Sequence, residues 1–286
     1  VNKVLHEAQK YRKMTRLNSV RFDIMKILNP IGLWCFAILL LCACGRHESA
    51  SIVEHVNRTA FVNPFIGTAR MGHTFPGATR PSGMVQLSPQ TRFESLLAPD
   101  GNYNPDTYRY CAGYQHGDST ILGFAHTAFS GTGHSDLGDI LIMPVVGKPN
   151  LASDEQGAPL FGSAFSHDTE HAEPGFYGVE LDRYHIQAEL TASDRVGIHQ
   201  YTYLEGGEAQ VVMDLTYNIY HHPDKNVWTF VRVENDSTVV GYRQTTGWGR
   251  TRLVHFAMRF DRAFLDFGYE RGQELTYNGF YRRFDE

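Results

Sequence analysis

Hydrophobic and polar positions alternate most clearly in the second half of the chain. In VGIHQYTYL, residues 196–204, Val196, Ile198, Gln200 and Thr202 fall on one face and Gly197, His199, Tyr201 and Tyr203 on the other. That period of two is the mark of a strand with two unlike faces. EGGE follows as a turn, and AQVVMDLTY reads as the returning strand of a hairpin. STVVGYRQT and LVHFAMRF repeat the pattern around the glycine-rich GWGRT, while GDILIMPVVG is an unbroken apolar run bounded by glycines. Residues 63–118 are different: NPFIGTARMGHTFPGATRPSGMVQLSP is dense in Gly and Pro, leaves room for little regular structure, and predicts the long loops that usually carry function. After residue 43 there is no long apolar segment, heptad run or fixed-period repeat. Many short strands joined by turns predict an all-β sandwich or barrel, in one domain over residues 61–286.

Composition narrows the class. With 42% hydrophobic and 20% charged side chains and a formal charge of −5, the chain is neither disordered nor shaped for nucleic acid, which is excluded as a partner. Residues 31–43 are apolar and preceded by Arg21 and Lys26. They read as a signal peptide, shorter than a spanning helix, with Met25 as its natural start. The segment LCAC, residues 41–44, has Leu three residues before a cysteine and Ala immediately before it, similar to a bacterial lipobox. Cys44 is then expected to be lipidated at the head of a short tether over residues 44–60, holding the domain at a membrane without spanning it. The expected location is the bacterial cell envelope, periplasmic or on the outer-membrane surface; an uncleaved signal anchor is the alternative. Cys35 and Cys42 leave with the 1–43 leader, so Cys111 has no disulfide partner, and within YCAGY it reads as a small buried hydrophobe.

Candidate chemistry concentrates in GFAHTAFSGTGHSDLGD, residues 123–139. Ser130 with His126 or His134 and Asp136 holds the inventory of a catalytic triad, but no G-x-S-x-G elbow surrounds the serine. Asp136 and Asp139 offer oxygens of the kind calcium takes, without EF-hand spacing; turn formation through bonds to nearby N–H groups is the alternative. GTG at 131–133 lacks the rest of a dinucleotide fingerprint. HDTEH, residues 167–171, matches the inverted zinc-hydrolase pattern, which needs a helix that Pro174 and Gly175 leave no room for. A metallohydrolase built on His167, Glu170 and His171 would predict stoichiometric zinc. Tyr103, Tyr108, Tyr110 and Tyr114 in NYNPDTYRYCAGYQH set aromatic faces beside polar groups. That mixture suits sugar rings, or a sandwich core whose tyrosine hydroxyls reach the rim.

Three long blocks carry a resemblance. FVNPFIGTARMGHTFPGATRPSGMVQLSPQTR (61–92), YCAGYQHGDSTILGFAHTAFSGTGHSDLGDILIMPVVG (110–147) and FSHDTEHAEPGFYGVELDRYHIQAELTASDRVGIHQYTY (165–203) together resemble the N-terminal domain of glycoside hydrolase family 92. The likeness extends in order over essentially all of 61–286. It implies a large two-layer antiparallel β-sandwich, packed in the family on an (α/α)6 barrel with the active site between them. The implied activity is that of a calcium-dependent, inverting exo-α-mannosidase acting on α-mannose-containing glycans. The sequence stops at YRRFDE before any repeated amphipathic helical period, so the C-terminal catalytic barrel is expected to be missing. With it go the acid and base that inversion requires and most calcium ligands, and no catalytic residue is assigned.

What the resemblance carries over is a loop contribution. GHTFPGA and HTAFSGTG are similar to segments that face the barrel, which makes His73, Thr74, Tyr108, Tyr110 and His126 the substrate-binding candidates, with Asp136 and Asp139 at an interface or turn. Relatives commonly have a histidine where this chain has Ala128, and often tryptophan where it has Tyr108 and Tyr110. Both departures bear on linkage preference and on activity. The expected function is therefore the N-terminal portion of an α-mannosidase, inactive alone; a free-standing carbohydrate-binding module or pseudoenzyme remnant is the alternative.

Overall fold

In the computed structural model, residues 57–221, 225–271, 274–277 and 281–285 are described. The leader, Cys44 and most of the expected tether lie outside them.

The fold is a β-sandwich. Its first sheet runs in the order Ala78–Thr79, Gln86–Gln90, Gly123–Ala125, Leu141–Val146, Ala209–Asp214, and its second in the order Gly197–Tyr203, Ile186–Ala192, Phe176–Leu181, His171–Glu173. The second sheet shows why alternation produces a layer. Ile186, Ala188 and Leu190 stand opposite Leu181, Val179 and Tyr177, and all six are fully buried, while Gln187, Glu189 and Thr191 face outward. These side chains meet Leu87, Phe124, Leu141, Met143 and Val145 of the first sheet in one continuous core. Burial of this kind contributes about 1.5–3 kcal/mol per large apolar side chain.

The first sheet is covered on its other face as well. Ile142 turns away from Leu141 and Met143 and packs with Val211 and Met213 against Val231, Val254, Phe256 and Met258. These last four belong to a third sheet, ordered Arg252–Arg259, Thr238–Thr245, Asn226–Asn235, Tyr281–Asp285. Double coverage is why GDILIMPVVG shows no alternation: a strand with both faces buried reads as a continuous apolar run.

The hairpin expected across EGGE does not form. Gly197–Tyr203 pairs with Ile186–Ala192 in the second sheet, whereas Ala209–Asp214 pairs with Leu141–Val146 in the first. Gly206 and Gly207, at φ 73° and 99°, turn the chain from one layer to the other, and a Cβ on Gly207 would lie 2.7 Å from Val146 Cγ1. The other expected pair does form, with Thr238–Thr245 and Arg252–Arg259 in register throughout around the GWGRT connection. Residues 63–118 hold three short strands and one helical turn, Asp106–Arg109, and are otherwise loops. Strand pairing among the described residues is antiparallel except where Tyr220–His221 runs parallel to Glu94–Ser95. No helix among them is long and apolar enough to cross a membrane.

Candidate functional site

Two of the predicted loops close on each other. Gly131 N–H donates to the His73 carbonyl at 2.5 Å, and His73 itself sits at φ 54°. A left-handed non-glycine residue costs on the order of 1–3 kcal/mol and persists where its surroundings hold it. The His73 ring meets the Tyr108 ring edge to face at 4.7 Å. Gly133 is pressed between them: a Cβ there would lie 3.0 Å from Tyr108 Oη and 3.4 Å from His73 Nδ1. The next residue, His134, packs its ring on Trp248 at 4.7 Å, and Phe129 meets the same indole at 5.6 Å. Tyr108 is 45% exposed and Trp248 62% exposed. His73 Nε2 and His134 Nε2 are buried without a hydrogen-bond partner. Two exposed aromatic faces thus stand braced by two histidines whose Nε2 atoms are sealed from solvent. Thr74, next to His73, donates its hydroxyl to the Ile66 carbonyl at 2.8 Å.

The other candidates are engaged within the fold. Tyr110 is buried, with its hydroxyl donated to Asp118 Oδ1 at 2.9 Å and the Arg92 and Arg109 guanidiniums 5.5 and 5.9 Å from its ring centre. Burial, then the Asp118 carboxylate, pushes its phenol up to about 12. His126 donates Nδ1–H to the Ile140 carbonyl at 2.7 Å, because a carbonyl can only accept. Its Nε2 is therefore the acceptor in the 3.0 Å contact with His199 Nε2, and His199 Nδ1 accepts from Tyr201 Oη at 2.7 Å. This relay joins the first sheet to the second, and burial holds both imidazoles below their ordinary pKa. The triad inventory is not assembled: His126 is committed to His199 and Ile140, Asp136 is ion-paired, and Ser130 is exposed. Cys111 is buried as expected; its thiol donates to the Tyr108 carbonyl at 2.8 Å, and burial raises its pKa.

Asp136 and Asp139 anchor a buried ion network. Asp136 Oδ1 accepts from Lys225 Nζ, lies 3.3 Å from Arg252 Nη1, and takes the Leu137 N–H at 2.8 Å. Its Oδ2 accepts the Trp248 N–H at 3.0 Å. Asp139 Oδ1 pairs with Arg252 Nη2 at 3.0 Å and Arg243 Nε at 3.6 Å, while Oδ2 takes the Thr127 hydroxyl at 2.7 Å. Burial alone would raise the Asp136 carboxyl, but the Lys225 bond, the Leu137 N–H and Arg252 hold it below the usual range. Burial lowers Lys225, whose ammonium lies 4.5 Å from the Tyr220 ring centre. Buried charges persist only when paired in this way. Already matched by three cations, Lys225, Arg243 and Arg252, these aspartates do not fit calcium, which takes six to eight oxygen ligands and would be held against like charge. They pin the base of the 127–138 loop and, through Trp248 N–H, set the aromatic face. Lys225, Arg243, Arg252 and Trp248 were not singled out by the sequence reading. A signal existed for one of them: Arg243 falls in phase with Val239 and Gly241 on the buried face of its strand.

In HDTEH no helix forms. Residues 166–170 make a turn, closed by Thr169 N–H to the Ser166 carbonyl at 3.1 Å, and His171 opens an exposed strand.

Residues 61–283 match the glycosyl hydrolase family 92 N-terminal domain. The chain belongs to that family and carries its N-terminal domain. Among solved structures it is similar to the family 92 α-mannosidase of Bacteroides thetaiotaomicron in complex with mannoimidazole, at 31% identity and TM-score 0.64 over 80% of this chain and 30% of that one. A family 92 glycosyl hydrolase named ccman5 is 25% identical with TM-score 0.62, over 79% of this chain and 29% of that one. A protein of Arthroderma benhamiae described as an uncharacterized secreted glycosidase is 25% identical over 150 residues, 50% of this chain and 17% of that protein. The chain thus spans less than a third of the length of each.

Proposed function

We propose that this chain is the N-terminal portion of an inverting exo-α-mannosidase, and that Tyr108, His73, His134 and Trp248 form one wall of its terminal-mannose site. The observation that carries the reading is the pair of exposed rings, Tyr108 and Trp248, each braced by a histidine ring at 4.7 Å. Apolar C–H faces of a pyranose stack on exposed aromatic rings, and its hydroxyls bond polar groups at the rim. Family membership and the likeness to an α-mannosidase support the substrate class. In this reading Thr74 holds the His73 loop, while Tyr110 and His126 are engaged within the fold. The acid, the base and most calcium ligands come from a C-terminal domain, in keeping with the greater length of the relatives. Cys44 anchors the enzyme to a membrane of the bacterial envelope.

The test compares this chain with a form extended by the C-terminal domain, assayed on an aryl α-mannoside with calcium and with a chelator. The extended form should turn over in calcium only, and the present chain should not. Trp248→Ala and Tyr108→Ala in the extended form should each lower kcat/KM about tenfold, the equivalent of about 1.4 kcal/mol. Robust calcium-dependent turnover by the present chain alone would overturn the division of labour. Binding of methyl α-mannoside by the present chain, together with an inert extended form, would favour a binding module.

A further inference from the structure

Away from the aromatic wall, His116, His167 and Glu170 converge, one donor atom from each lying within 4.8 Å of the others. They come from two segments far apart in sequence, and the turn at 166–170 brings them together. Glu170 is the floor: its side chain is 1% exposed, and both oxygens are held by hydroxyl donors. Tyr114 Oη lies 2.9 and 3.0 Å from the two oxygens, and Tyr177 Oη donates to Oε1 at 2.7 Å. Since Tyr177 is fixed in the main core, the carboxylate is rigidly aimed. The two imidazoles form an exposed rim, their ring centres 4.2 Å apart, flanked by Phe65 on His116 and Phe165 on His167.

A plain ion pair between His167 Nδ1 and Glu170 Oε2, at 2.6 Å, accounts for one imidazole. It does not account for the second imidazole, His116, whose ring is tilted 32° to that of His167 beside the same buried carboxylate and whose Nδ1 has only a long 3.5 Å contact with Tyr114 Oη. A single cation between the three donors satisfies all of them. We propose that His116, His167 and Glu170 bind a divalent transition-metal ion of the zinc class, with the remaining coordination positions open to water on the exposed side. Two imidazoles and one carboxylate suit zinc better than calcium or magnesium, and hydrogen bonds to a ligating carboxylate are the usual second layer of such sites. The H-x-x-E spacing of HDTEH is thus used in a turn, with His116 taking the place that a helix would give His171. The ion would tie the 166–170 turn to the segment carrying Tyr114 and His116.

The full chain, stripped of metal, is titrated with Zn2+ by calorimetry and with Co2+ by visible absorption. One equivalent should bind, giving d–d bands of a four- or five-coordinate site, and zinc should raise the melting temperature. His116→Ala and His167→Ala, both at exposed positions, should each weaken binding at least tenfold and abolish the thermal shift. His171→Ala should change neither. No saturable binding, binding that survives the double variant His116→Ala/His167→Ala, or loss of binding in His171→Ala would each overturn the site. None of these readouts involves a mannoside, so they stand or fall apart from the glycosidase reading.

Discussion

Tyr108 and Tyr110 are two residues apart, yet one presents its ring to solvent beside His73 and the other is buried with its hydroxyl on Asp118. Tyr103 and Tyr114 split the same way, Tyr103 exposed and Tyr114 buried on Glu170. The cluster was legible as aromatic and polar; which members reach a ligand was not, because four tyrosines in an irregular segment carry no periodicity to sort them. Tyr110 should ionise near pH 12 in the folded chain. The unfolded phenol ionises near its ordinary value of about 10, so the stability it contributes is full below pH about 10 and declines as pH rises toward 12. The difference in phenolate absorbance between the folded chain and folded Tyr110→Phe should rise near pH 12, and a rise near pH 10 would show the Tyr110 phenol to be unshifted. His126 and His199 give the opposite sign. Both are held below 6.5, so the unfolded chain takes up protons first, and stability that is full above pH about 6.5 is lost as pH falls below it. Urea midpoints should drop between pH 7.5 and 5, and His199→Gln should lower the midpoint at pH 7.5 while making that slope shallower.

At the scale of elements, the third sheet meets the first through an interface that is apolar at one end and ionic at the other. Val231, Phe256 and Met258 fill the apolar end, and Arg243, Arg252 and Lys225 meet Asp136 and Asp139 at the other. Lys225→Met leaves Asp136 without its nearest cation and should cost about 3–5 kcal/mol. The double variant with Asp136→Asn should recover part of that loss, and urea unfolding of the singles and the double would measure the coupling. Additive losses would show that the pair does not act as a unit. Strand positions were largely legible because alternation is local. The partner of Ala209–Asp214 was not, since a two-glycine turn serves equally to fold a strand back or to pass it to another layer.

For the whole molecule, the buried residues of the core shared by the first two sheets all lie within residues 87–217, which predicts that the present chain folds as a unit. The isolated chain should give a β-type circular dichroism spectrum and one cooperative urea transition. A broad, non-cooperative transition with dye-binding apolar surface would show that the domain depends on its partner to pack. The aromatic wall should remain intact in this form, because Trp248 N–H is held from within by Asp136.

The sequence by itself determined the family, the all-β class, most strand positions, the loops that meet at His73 and the burial of Cys111, because each of these is written in contiguous residues or in a period of two. Only the tertiary structure decided that Leu141–Val146 is covered on both faces, that Asp136 and Asp139 answer buried cations, that Trp248 joins Tyr108 and two histidines, and that His116 rather than His171 joins His167 and Glu170. Each of these depends on which distant segments the sheets bring together. Contact across layers is set by packing and loop closure, neither of which leaves a local mark in the chain.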